Sequence, residues 1–189
     1  MLMNKAREKE SNFALNPTEM RARLAQDGLE RADYSALVEA YTRLSALIGE
    51  PRCSLETLWL SHCITQTAIW LAFDGDEATG AWLVVALSGS GAAAAKNGSF
   101  NALQPADNHL CRPFERVHAY YGWVFAGATA SAKRRVLRAA KRFCDGEFGE
   151  VPCYARAATV HGAVALAKLG FTPRAEDPSS YSRMAGKWQ

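Results

Sequence analysis

The stretch GATASAKRRVLRAAKRF, Gly127 to Phe143, opens with small residues and runs into a basic helix. Two readings of it diverge. In one, the small residues let backbone N–H groups approach a phosphate, and the positive end of the helix favours the anion. In the other, Ser131 is an ordinary N-cap and the arginines are a solvated face. Val136, Ala140 and Phe143 share one side of the helix, while Arg134, Arg138, Lys141 and Arg142 turn away from it. The neighbouring elements decide which reading has structural support.

Outward from that stretch the hydrophobic period changes repeatedly. RVHAYYGWVFAG (116–127) reads as a long aromatic strand, and EVPCYARA (150–157) as another. Thr159 is placed to cap a helix over VHGAVALAKL (160–169), which Gly170 ends while Phe171 folds back onto it. Upstream, TAIWLAF and AWLVVALS flank DGDEATG and predict a hairpin around an Asp-Gly turn. Asn16-Pro17 with Glu19 predicts a first helix to about Gln26, closed by a capping box. Asp33 caps a second helix with Leu37, Tyr41, Leu44 and Leu47 at helical spacing, stopped by Gly49 and Pro51. Ser54 begins a third, LETLWLSHCI.

The segment GSGAAAAKNGSFNALQPADNHL (89–110) contains a G-x-G, but its spacing fails the dinucleotide fingerprint. It reads as a loop with one turn of helix. PSSYSRMAGKW (178–188) supplies a turn and a closing strand, and residues 1–15 read as a disordered tail. The expectation is a single domain over residues 16–189, α/β or α+β, with a mixed sheet.

Composition narrows the function classes. A 49% hydrophobic fraction and 7 prolines in 189 residues describe a globular chain. The net charge of +3 is too small to argue for nucleic acid, and no aromatic residues interleave with the basic run. The five cysteines are scattered without C-x-x-C, and His62-Cys63 stands alone, so no metal site is expected. AWLVVAL is too short to span a bilayer, and MLMNKAREKE has no apolar core for a secretory signal. A soluble cytoplasmic protein is expected, without a membrane or nucleic-acid partner.

The ordered set of elements resembles the GNAT N-acetyltransferase family over roughly residues 28–189. AIWLAFDGDEATGAWLVVAL looks like that family's second and third strands. VHAYYGWVFAGATASAKRRVLRAAKRF looks like its fourth strand, pyrophosphate loop and third helix. ATVHGAVALAKLGFTPRA looks like its fourth helix with the L-G-F ending, and YSRMAGKW like its final strand. The resemblance implies a mostly antiparallel sheet with a splayed parallel strand pair. It also implies acetyl-CoA, or another acyl-CoA, as co-substrate and an amine, small-molecule or peptide, as acceptor. The family's loop reads Q/R-x-x-G-x-G/A, and here Ala128, Thr129, Ala130, Ser131, Ala132 and Lys133 occupy that frame. Carried over, the acyl-CoA residues are Val124, Phe125, Ala128, Thr129, Ala130, Ser131, Ala132, Lys133, Arg134 and Thr159.

In the family a tyrosine on the fourth helix often protonates the leaving thiolate. Its position falls here at Leu166, and Thr159 replaces the usual asparagine at the start of that helix. Substitute proton carriers are Tyr121, His161 and Tyr154, with Tyr120, Cys153, Glu115 and His118 behind them. Tyr120 and Tyr121 must point to opposite faces of their strand. The alternative function is a catalytically degenerate domain that binds a ligand or a protein. Trp59 and Leu60 are apolar candidates for a partner or for a homodimer.

Overall fold

The computed structural model describes residues 13–48 and 53–184. At its centre is the hairpin around the Asp-Gly turn. β2 (Ile69–Asp74) and β3 (Glu77–Leu87) pair antiparallel across Gly75 and Asp76. Gly75 takes φ +63°, a conformation that side chains resist. β4 (Ala119–Gly127) runs antiparallel along the far side of β3, and β5 (Cys153–Arg156) joins β4 in parallel. β7 (Ser180–Arg183) and β6 (Thr172–Pro173) complete that side, and β1 (Glu30–Arg31) lies outside β2. The result is one seven-stranded mixed sheet, ordered β1-β2-β3-β4-β5-β7-β6, in an α/β chain.

Helices cover both faces. On one side α1 (Pro17–Ala25), α5 (Ala130–Asp145) and α6 (Val160–Lys168) pack their apolar residues against Trp70, Trp82 and Tyr120. Phe143 meets Trp82 edge-on at 4.9 Å and Tyr120 at 4.7 Å. Burying a side chain of that size is worth roughly 1.5–3 kcal/mol. On the other side lie α2 (Tyr34–Ile48), α3 (Leu55–Thr65) and α4 (Gly89–Asn97). With both faces covered, β3 is buried at every residue after Glu77 and reads as a continuous apolar run.

Several local expectations change. The segment after β3 is a nine-residue helix, α4, rather than a loop with one turn. Ser88 caps its N-terminus through Gly91 N–H, Gly98 ends it at φ +76°, and four consecutive alanines favour the helix between them. Asn16 caps α1 as expected, accepting from the N–H groups of Thr18 and Glu19. The Glu19 carboxylate, however, accepts from Arg23 at 2.8 Å on the outer face of the helix. Thr129, not Ser131, caps α5, accepting from Ala132 N–H at 3.0 Å.

The expected tail lies largely outside the described residues, but its end is held in place. Leu15 is buried, and its N–H donates to the Glu115 carbonyl at 2.8 Å. Gly49 and Pro51, expected to stop α2, lie outside the described residues, as do 185–188 of the expected closing strand. No helix among the described residues is long and apolar enough to cross a membrane.

Candidate functional site

β4 and β5 pair only at Tyr120↔Cys153, Tyr121↔Tyr154 and Gly122↔Ala155. β4 then continues to Gly127 beside β3, while β5 ends at Arg156. The strands part there, and two cavities meet at the opening. A cleft of about 520 Å³ lies towards α5 and α6, and a cavity of about 410 Å³ lies towards α2. Gly122, Trp123, Val124 and the Arg156–Ala158 turn line both.

A bulge shapes this junction. Leu83 pairs with Val124 and Val84 with Gly122, so Trp123 is the extra residue on β4. A bulge breaks the alternation of side chains along a strand. Trp123 and Val124, though consecutive, therefore both reach the junction. The indole Nε1 of Trp123 is buried without a hydrogen-bond partner among the described residues.

The cleft is cationic. Lys133 from α5, Arg156 from β5, and His161 and Lys168 from α6 line it, and among the described residues no Asp or Glu does. Thr159 caps α6 at the cleft wall, accepting from Gly162 N–H at 3.0 Å. Gly127 allows β4 to meet the first turn of α5, since a Cβ there would lie 2.7 Å from Lys133 N. These features suit a phosphate-bearing ligand: cations on separate elements, helix N-termini and a close backbone approach.

The proposed acyl-CoA residues are only partly brought together. Val124, Phe125, Lys133 and Thr159 line the cleft. Ala132 is buried on the inner face of α5, and Ala128, Thr129, Ala130, Ser131 and Arg134 are exposed around its N-terminus. Asp74 sits at that helix end, accepting from the hydroxyls of Thr129 at 3.1 Å and Thr79 at 3.0 Å, and pairing with Arg135. Desolvation opposes ionisation of Asp74, but both hydroxyls and the Arg135 guanidinium outweigh it and hold the carboxyl below its ordinary range.

The candidate proton carriers are dispersed. His161 is exposed at the cleft, while Tyr121 lines the other cavity with its ring 4.8 Å from Phe100. Tyr154 is buried on the α2 side and Tyr120 on the α5 side. Burial raises the pKa of Tyr121, Tyr120 and Tyr154 alike, and the charge of Arg156 partly opposes this at Tyr121. Cys153 is buried with its thiol on the Val151 carbonyl, and Leu166 forms part of the cleft wall. Sequence reasoning passed over Trp123, Arg156 and Lys168, and took Gly127 only as the start of the small-residue stretch. Arg156 directly precedes the turn into α6 and was the most legible of these, whereas the bulge at Trp123 leaves no local signature.

A comparison of the chain with models of known protein families and with curated proteins finds no match.

Proposed function

We propose that the chain has the GNAT fold and is an acyl-CoA-dependent N-acyltransferase acting on an amine. One observation carries this reading: a cleft lined by cations, with no carboxylate among the described residues that line it, opens where two parallel strands part, and it meets a second cavity at that point. A phosphorylated donor then has one compartment and the acceptor another. Bound acyl-CoA supplies a thioester carbonyl open to attack by an amine. Lys133, Arg156 and Lys168 neutralise phosphate, Gly127 keeps the backbone close, and Trp123 Nε1–H offers a donor at the junction. His161, exposed at the cleft wall, is the candidate for proton transfer. Orientation of two reactants can supply about 7–11 kcal/mol of a barrier, so such a site does not depend on one strong acid.

Titration with acetyl-CoA and with CoA, followed by thermal unfolding, tests this reading. Ligand at 100 times its dissociation constant stabilises the fold by about 2.7 kcal/mol. Absence of a shift at millimolar ligand rejects the proposal.

A second reading, a non-catalytic ligand-binding or protein-interaction domain, draws on the dispersal of Tyr121, Tyr154 and His161 and on Asp74 beside the α5 N-terminus. Ser131→Glu separates the two. It adds a carboxylate at the exposed start of α5, so the enzyme reading expects the acetyl-CoA shift to fall at least about tenfold in affinity. The interaction reading expects the variant to behave as the parent does.

A further inference from the structure

We infer that the cavity beneath α2 takes the acyl chain of the donor, and that this donor is a medium-chain fatty acyl-CoA rather than acetyl-CoA. This rests on the acyltransferase reading and names its donor class.

The two compartments are continuous. Gly122, Trp123 and Val124 line both, at the point where β4 and β5 part. The cleft lies towards α5 and α6, and the cavity lies towards α2. A thioester that reaches the opening from the cleft therefore delivers its acyl group into the cavity.

The sheet makes the floor of that cavity. Val124 on β4 pairs with Leu83 on β3, and Ala81, two residues along β3 on the same face, pairs with Leu71 on β2. All three strands are described from end to end, so this floor is aliphatic whatever borders the rim. Leu37, Ala40 and Leu44 of α2 recur at helical spacing above it and are buried. Ala81 and Ala40 are small where their neighbours are leucines, which leaves room between helix and sheet, about 410 Å³ in all.

The dimensions set the chain. From Val124 through Leu83 to Leu71 the floor crosses two strand spacings, roughly 10 Å. The methyl of an acetyl group covers only the start of that path. At roughly 1.5 Å per carbon–carbon bond, an extended chain of about eight carbons spans it. A hydrocarbon chain gives the leucines of floor and helix dispersion partners and needs no polar group opposite. The acceptor amine reaches the thioester from the rim, where Asn101 and Arg156 are exposed.

The probes are CoA, acetyl-CoA, octanoyl-CoA and octanoate, each titrated by calorimetry into the full chain below the concentration at which acyl-CoA forms micelles. Each buried methylene tightens binding by up to about fourfold, so octanoyl-CoA is expected to bind at least about a hundredfold more tightly than acetyl-CoA, with one molecule per chain. Ala81→Leu, which fills the floor, is expected to bring octanoyl-CoA to within about threefold of acetyl-CoA. Ala40→Leu makes the same test from the helix should Ala81→Leu fail to fold, and the comparison in the parent decides alone if neither folds. Octanoyl-CoA no tighter than acetyl-CoA, more than one octanoyl-CoA per chain, or a gain that survives in a folded variant each overturns the inference. Binding of every CoA species with the same affinity overturns it too but leaves the acyltransferase reading standing. If octanoate binds one to one and Ala81→Leu weakens it while no CoA species binds, the cavity assignment stands and the acyltransferase reading falls. If no probe binds, both fall.

Discussion

His62 is buried in α3, with Arg31 Nε 3.1 Å from its Nε2 and Ile69 N–H 3.1 Å from its Nδ1. The neutral ring can accept at one of these nitrogens, and protonation would remove that acceptor and set its N–H against a donor. Burial, reinforced by the charge of Arg31, therefore lowers its pKa from 6.5 to about 4. The unfolded chain binds more protons than the folded one between those values. Stability from neutral His62 is fully present above the unfolded value and is lost as pH falls towards 4, by about 3 kcal/mol in all. Urea unfolding at about pH 7 and about pH 4 measures the loss, and His62→Gln should lose less across the same interval. An identical pH dependence in both proteins would assign the effect to other groups. The sequence placed His62 on a helix beside Cys63 but did not tell which of the two faces inwards. The histidine is buried and Cys63 is exposed, and one of the two donors that face the ring, Arg31, stands 31 residues away where no local pattern shows it.

At the scale of elements, the start of α5 is held by close approach rather than by glycine-rich freedom. The Cβ of an alanine at Gly127 would meet Lys133 N at 2.7 Å, and one at Gly80 would meet Ala132 Cβ at 3.1 Å. Gly127→Ala is therefore expected to push the first turn of α5 away from β4. It should cost about 1–3 kcal/mol in chemical denaturation and weaken acetyl-CoA binding. Unchanged stability would mean that the turn yields freely. Legibility along the chain follows the range of the interactions involved. The Asp74-Gly75 hairpin was readable because its turn chemistry is local. α4 carried its own signals, Ser88, an alanine run and Gly98, but the G-x-G within it drew the reading towards a loop. The bulge at Trp123 and the Thr129–Asp74 contact depend on register between strands, so no local pattern announces them. Both cavities likewise draw their walls from segments far apart in the chain, and only Val124, Phe125, Lys133 and Thr159 of the expected donor residues reach the cleft.

For the whole molecule, the opening between β4 and β5 divides the sheet into unequal halves. β1 to β4 form a long antiparallel block, whereas β5, β7 and β6 attach to it through the short parallel pairing. A second tie is Arg183, buried on β7, which donates to the Cys144 carbonyl of α5 and approaches Asp145 at 3.3 Å. A third is Arg174, which donates to the Ala95 and Lys96 carbonyls of α4 at 2.8 and 2.5 Å. The short strand pairing still describes a region that opens locally before the whole chain unfolds. Arg183→Met removes the polar tie while keeping an unbranched stem. About 1–3 kcal/mol should be lost, because the Cys144 carbonyl is left without that donor. Native-state hydrogen exchange gives the distribution of that loss. Amides of β5, β7 and α6 are expected to exchange about tenfold faster in the variant while those of β3 keep their rates. If the proposed function holds, acetyl-CoA should slow this exchange back towards the parent's rates, since Lys133 on one half and Arg156 and Lys168 on the other face the same cleft. Equal acceleration in β3 would show instead that both halves unfold as one unit, and the cleft would then lie in a rigid wall rather than between separable parts.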